Sequence, residues 1–440
     1  MKEDITLYKD KVELIDKFLS SIILLIPLSL AISIFLADLF TSISGIILIL
    51  IIIRKKNTDI FLLVKREIIF FVILYLIILT SLIFSNFKTI SFLPSFFYFR
   101  YFLLTLSIFY LLKKYDFFIR IFCNSILLSI LIIIIDAFIQ LYFGYNLFGY
   151  EKTGLTGKER LIHIIYFFDK EKKLGSYLVR FLPLVLSIFY LYHKKVLPII
   201  ELTFVIAIGV LVYFASERTA LFLLLIIYFF YFFISNKKKY FLSAFILVFI
   251  FLFSQESQLN KKYLHFTLQQ TGLEKIFSSN KKQNSNTKIK YYSEEHENLS
   301  YTGLEIFKKN YLFGAGIKSF YHECNKLKKD GFVDEDNKRN NKLVCSTHPH
   351  NTYLQILSEI GIFGFLIVIY LFFLFFFINL KIFFKKNKSD LNKAYFFINL
   401  SIIINLMPLI PSGSFFNNWI SLMIFFSLGF WVYVKDKTKQ

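Results

Sequence analysis

An all-α polytopic integral membrane protein of about 12 transmembrane helices, with a large helical loop on its outer face, is the fold class this chain predicts. Two observations carry the prediction. The 440 residues are 56% hydrophobic with a mean hydropathy of +0.59. They fall into repeated apolar runs of about 18 residues or more, the length that spans a bilayer as helix. The formal net charge of +21 is also concentrated in short clusters between those runs: Arg54-Lys55-Lys56, Lys113-Lys114, Lys194-Lys195, Lys237-Lys238-Lys239 and Lys385-Lys386. Such spacing is the positive-inside signature of a multi-pass protein. With no soluble basic module interleaved with aromatics, it argues against nucleic acid as a partner.

The first apolar run follows a polar, Lys-bearing stretch of about 17 residues and lacks a small-residue cleavage site, so it reads as an uncleaved anchor with a cytoplasmic N-terminus. Spans are expected at 18–36, 40–53, 68–85, 92–112, 119–143, 174–192, 196–214, 219–234, 240–255, 353–378, 394–411 and 414–433. Alternation places the basic clusters and both termini inside, and puts short, cation-poor turns near 38, 86–91, 215–218 and 412–413 outside. The chain then divides into residues 1–255, holding the first nine spans and a shorter outer loop near 144–173; residues 256–352, the large outer loop; and residues 353–440, the last three spans.

In the large loop, the amphipathic stretch Leu299 to Phe307, closed by Gly314-Ala315-Gly316, predicts a small helical subdomain. Cys324 and Cys345 both lie there, whereas Cys123 lies in a span. On an outer, oxidising face the pair reads as a structural disulfide, the alternative being two free thiols. Closing about 20 residues would restrict the unfolded loop by roughly 3 kcal/mol.

Ionisable groups within spans are costly and face the bundle interior. Asp136 is placed to neutralise Arg100 or Arg180; the other reading gives one of these arginines a substrate phosphate. Arg218, in the tight outer turn Ala215-Ser216-Glu217-Arg218-Thr219, either snorkels to lipid phosphates or offers a bidentate grip on a substrate diphosphate. Arg160 in the first outer loop is a similar candidate. Glu359 falls on the face of Gln355 and Thr352, where it orients polar partners or bonds within the bundle. Gly361 and Gly364 suit close helix approach.

The stretch His348-Pro349-His350-Asn351 puts two imidazoles and an amide where the large loop meets the tenth span. An imidazole there serves as a general base toward a hydroxyl. A zinc set with His322, Cys324 and Cys345 has no common ligand spacing, so no metal is expected; a purely structural role for His350 stays open.

These residues carry a resemblance. His350-Asn351, nine residues, then Gly361-Ile362-Phe363-Gly364 resembles the signature of the O-antigen ligase and O-antigen polymerase superfamily. Further stretches resemble its outer segments: Phe307 through Gly316, Ser216-Glu217-Arg218-Thr219-Ala220, Arg160 with Leu174-Gly175-Ser176-Tyr177, and Pro411 through Trp419. The resemblance covers residues 145–420, and hydropathy alone matches before that. It implies glycan transfer from an undecaprenyl-diphosphate carrier to a sugar hydroxyl, on the periplasmic face of a bacterial inner membrane, without metal, nucleotide-sugar or other cofactor. His350 would be the base and Arg218 the diphosphate ligand, with Arg160, Asn351, Lys318, His348 and Glu359 as substrate-binding candidates. The chain departs from the pattern in two places: the large loop has no Arg before Arg339, where ligases carry a second one, and His163-Ile164 stands where the family has small residues. Lys308, Lys309, Lys318 and His296 are the available substitutes for the missing Arg.

The leading expectation is an O-antigen ligase acting on lipid A-core. The runner-up is an O-antigen or exopolysaccharide polymerase extending a growing glycan. A protein O-oligosaccharyltransferase ranks below both. A polysaccharide transporter or flippase would need broken, charged helices at mid-membrane in both halves, whereas the polar residues here gather toward one face.

Overall fold

The computed structural model describes residues 12–55, 59–150, 173–192, 198–215, 217–235, 245, 293–331 and 343–439. Its elements are helices, with no strand among the described residues. They are α1 (Leu14–Ile32), α2 (Ile34–Lys55), α3 (Lys65–Phe84), α4 (Lys88–Phe96), α5 (Phe99–Lys114), α6 (Phe118–Phe143), α7 (Leu174–Leu191), α8 (Pro198–Ala215), α9 (Arg218–Ile234), α10 (Glu294–Lys309), α11 (Phe320–Lys329), α12 (Thr352–Phe383), α13 (Asp390–Asn405) and α14 (Asn418–Lys439), with a single helical turn at Asp59–Leu62.

Eight of the described helical stretches are long and apolar enough to cross a membrane, α4 and α5 counting as one; α8 and α9 are shorter apolar helices. The chain is thus an all-α polytopic membrane protein. The expected span 240–255 lies outside the described residues except Phe245. Most expected positions are helical, but four boundaries differ. The first turn falls at Ser33 rather than near residue 38. Ser33 leaves the helical region at φ −157, ψ 118, and its Oγ accepts from Leu36 N at 3.4 Å, as a serine N-cap does. The second span, expected to be short, is a helix of 22 residues. The fourth begins early, as α4. The eleventh ends at Asn405, because Pro408 disfavours helix in the residue before it; the turn that follows therefore runs through residue 417.

Side-chain pairs fix which helix ends lie together. Lys113 of α5 meets Asp436 of α14 at 2.6 Å, and Lys435 pairs with Glu67 of α3. Lys114 reaches the fully buried Asp16 of α1 at 2.6 Å, and Tyr115 donates to the same carboxylate at 2.6 Å. At the opposite end, Arg100 pairs with Asp38 at 2.8 Å, and Glu217 bonds the start of α7. One end of the bundle is therefore basic and the other carries the loops.

The expected Asp136–arginine pair is not formed. Gly144, left-handed at φ 88, turns the chain back after α6, so that Asn146 Nδ2 and Leu147 N donate to Asp136 at 3.0 and 2.9 Å. Arg100 takes Asp38 instead, and Arg180 donates to Asn405 Oδ1 at 2.8 Å.

Over the loop end, α10 and α11 form a cap with its own small core, in which Leu299, Ile306, Phe320 and Leu327 are buried. Cys324 and Cys345 are joined, their Cα atoms 5.4 Å apart. The cap docks on the α3–α4 corner through Asn86 Nδ2 donating to Glu323 at 2.9 Å and through Phe84 stacked on Phe313 at 4.6 Å.

Candidate functional site

The start of α12 sets the site. Asn351 is its N-cap: Oδ1 accepts from Tyr353 N at 3.0 Å and Leu354 N at 3.1 Å, satisfying donors that the first turn leaves open. Immediately before it, His350 has φ 52, a left-handed conformation uncommon for a residue with a side chain. That kink is held from outside, since Ser412 N donates to the His350 carbonyl at 2.8 Å.

The turn after α13 clasps this motif at several points. Thr352 Oγ1 lies 2.9 Å from Ser412 Oγ. The buried Gln355 donates to Ser414 Oγ at 2.8 Å and accepts from Phe415 N at 2.8 Å. His348 Nε2 lies 3.3 Å from the Ser412 carbonyl, and since a carbonyl only accepts, that nitrogen carries the proton. Nδ1 then accepts from Thr347 Oγ1 at 3.0 Å. Both nitrogens of His348 are occupied by structure, and its ring lies 4.2 Å from that of His350.

The glycines act differently from the helix–helix contact expected of them. Gly361 breaks α12 at φ 71, ψ −169, and the segment after α10 enters the break. Ala315 N donates to Ser358 O, Gly316 N to Glu359 O and Ile362 N to Tyr311 O, each at 2.9 Å. A Cβ on Gly361 would meet the Leu312 carbonyl, and one on Gly314 the Glu359 carbonyl. Gly364 makes room for the side chain of Ile360 in its own helix. The outer cap is thereby fastened within three turns of His350.

A cleft of about 660 Å³, lined by charged, polar and apolar side chains, opens between the starts of α7, α9 and α10 and the 409–420 segment. His350 and Arg218 both line it, with His296, Lys173, Arg180 and Trp419. Glu217 is its acid, engaged in construction: its carboxylate accepts from Gly175 N at 2.8 Å, Ser176 N at 3.0 Å and Ser176 Oγ at 2.5 Å. This caps α7 from another segment and fixes the backbone that presents Arg218. Arg180 is 5% exposed, and its guanidinium lies 5.9 Å from the Trp419 ring centre. Arg180 Nε and Trp419 Nε1 are buried donors without an acceptor among the described residues. Unsatisfied buried donors beside cations fit an anionic ligand.

Electrostatics favour a neutral base. Burial pushes the His350 imidazole below its ordinary value, and nearby His296 pushes the same way; Glu295 and the Ser412 carbonyl oppose. Burial, then His350, takes His348 down to about 4. His296 is lowered by burial and by Arg218, against Glu295. The His296 and His350 ring centres are 5.7 Å apart.

The structure thus brings His350 and Arg218 together. It sets Lys318 apart: that residue is exposed, with φ 62, and does not line the cleft. Neither Lys308, paired with Glu305 at 2.8 Å, nor Lys309 lines it, whereas His296 does. Glu359 is fully buried, takes a hydrogen bond from Gln355 at 3.0 Å, and lies outside the cleft. His348 and Asn351 support its wall. Arg160 lies outside the described residues, as does Arg339. Sequence reasoning gave no role to Lys173, Glu217 or Trp419, although the segments containing the last two had drawn notice. Among the described residues, no set of three His, Cys, Asp or Glu side chains is gathered as metal ligands.

Residues 202–369 match the family model described as O-antigen ligase. The matched segment includes Arg218, His350 and the Gly361 break. No curated protein matches the chain.

Proposed function

With the O-antigen ligase superfamily as premise, we propose that the cleft transfers a glycan from undecaprenyl diphosphate to a sugar hydroxyl of lipid A-core. The observation carrying this reading is the shared cleft: a half-buried imidazole and two arginines face one cavity. His350 takes the proton of the acceptor hydroxyl as its oxygen attacks the anomeric carbon. The bond from that carbon to the diphosphate oxygen breaks, and the electron pair leaves with the lipid diphosphate. Arg218 and Arg180 stabilise the departing charge, and the imidazolium then releases its proton to water. With one base, and with Glu217, the carboxylate among the described residues lining the cleft, engaged in capping α7, direct displacement inverts the anomeric configuration; an α-linked product from an α-linked donor would refute it.

Arg180 takes the place of the second loop arginine. Its orphaned Nε and the partnerless Trp419 indole N–H supply donors for phosphate oxygens. The basic end opposite the cleft supports a periplasmic cleft, with both termini in the cytoplasm of a bacterial inner membrane. The family match is compatible with a ligase and with a polymerase alike. The test is the lipopolysaccharide profile of a deletion strain. Loss of all O-antigen bands with carrier-linked polymer accumulating supports the ligase; a single repeat remaining on core supports the polymerase; an unchanged profile refutes both. Restoration by the wild-type chain but not by His350→Ala, at equal protein level, assigns the base.

A further inference from the structure

An apolar groove of about 580 Å³ runs between α3, α12 and α14, with α5 and α13 as its floor. It shares no wall residue with the cleft. Ile69, Ile73 and Tyr370 on its rim are exposed, so its open side faces lipid. Along α14 it extends from Ile424 to Lys435, roughly 16 Å of helix, about half the hydrocarbon thickness of a bilayer. Its walls are aromatic and aliphatic over that length apart from Thr105, whose hydroxyl donates to the Phe425 carbonyl at 2.7 Å. Its charged side chains, Arg66, Glu67 and Lys435, stand together at the basic end. Lys435 pairs with Glu67 and lies 4.7 Å from the Trp431 ring centre. Arg66 is exposed and has no hydrogen bond or ion pair among the described residues. The mouth of the groove thus carries two cations against one carboxylate, with a guanidinium open to a ligand.

We propose that this groove binds an anionic phospholipid of the leaflet at the basic end, with its headgroup phosphate on Arg66 and one acyl chain along the groove toward Phe425. The inference goes beyond the transfer reading and uses no residue of the cleft. Depth and charge both select the occupant. A groove half as deep as the bilayer core takes a chain from one leaflet. Cations at its mouth favour a headgroup of net negative charge, as basic pockets between membrane helices do, and a guanidinium grips phosphate through two N–H donors. A zwitterionic headgroup would bring its own cation to a mouth that is already positive. The lipid fills the space between helices that meet at Phe70 and Tyr370, ring centres 5.7 Å apart, and at Glu67 and Lys435. It thereby braces α3, whose far end carries the corner on which the cap docks.

The test uses the full-length protein in phosphatidylcholine nanodiscs and a phosphatidylglycerol bearing a diazirine midway along one acyl chain. After irradiation, adducts are expected on α3 between residues 69 and 74 and on α14 between residues 424 and 432. Unlabelled phosphatidylglycerol should suppress them, and the same amount of phosphatidylethanolamine should not. Arg66→Gln, at an exposed position, should reduce labelling about fivefold, the weight of one cation near an anionic lipid. Ile73→Trp, which fills the groove at a half-exposed position, should reduce it at least as much. Lys386→Gln, exposed at the basic end, and Leu366→Trp, exposed on α12, line no part of the groove and should leave labelling unchanged. Equal suppression by phosphatidylethanolamine would mean ordinary lipid contact and overturn the proposal. So would suppression by undecaprenyl phosphate at the concentration at which phosphatidylglycerol acts, wild-type labelling in Arg66→Gln, or absence of adducts on both segments. Labelling needs no turnover, so loss of transfer in His350→Ala should leave the adducts in place.

Discussion

Replacing Gly361 with alanine is expected to release the outer cap from the break in α12. The native backbone, φ 71 and ψ −169, lies in a region reserved for glycine, and a side chain there costs ~1–3 kcal/mol. The new Cβ would also run into the Leu312 carbonyl. Relief requires the 311–316 segment to back away, breaking three backbone hydrogen bonds at about 1 kcal/mol net each. A local loss of about 4 kcal/mol follows, and at 1.36 kcal/mol per tenfold the amides of Ala315, Gly316 and Ile362 should exchange hydrogen about a thousandfold faster. Hydrogen exchange read by mass spectrometry on peptides covering 311–316 and 358–364 measures this. Gly364→Ala is the comparison, since its Cβ meets only the flexible Ile360 side chain. Exchange in Gly361→Ala within tenfold of wild type would refute the reasoning.

Four further outcomes are expected. His350→Gln should lower the transfer rate by about 10²–10⁴-fold, with a thermal midpoint near wild type; a rate within tenfold would remove His350 as base. The base works deprotonated and its pKa is lowered, so the rate should hold as pH falls through 6.5 and decline only below it. A pH–rate profile whose acid limb lies above 6.5 would contradict this. Arg218→Lys keeps the charge but loses the planar fork, and should cut the rate about tenfold or more by weakening stabilisation of the leaving group; full activity would show that a point charge suffices. Cys345→Ser should weaken the cap by roughly 3 kcal/mol, read as faster proteolysis within 293–331; unchanged resistance under oxidising conditions would count against the tether.

The spans were legible because hydropathy is a local property: runs such as 119–143 carry their own signal. Asp136 shows where locality ends. Its depth in a span was readable, but its partners Asn146 and Leu147 depend on how the chain folds back after Gly144. Gly361 and Gly364 gave a helical spacing, yet only three-dimensional context shows one to be a helix break filled by a distant loop. The grouping of His350 with Arg218 came from resemblance rather than spacing, since 132 residues separate them in the chain. Arg180 was noticed as a buried cation, but its missing acceptor is a property of packing that no motif encodes. Lys318 was a substitute for a missing arginine on charge alone, and its exposure outside the cleft removes it from the wall.

The clasp of the 411–416 turn on His350 has a consequence for biosynthesis. The segment that holds the His350 carbonyl and engages Gln355 emerges from the ribosome some sixty residues after them. The wall of the cleft around His350 is therefore completed only once the 411–416 turn is in place, and a nascent chain halted before that turn lacks the contacts that hold the His350 backbone and Gln355.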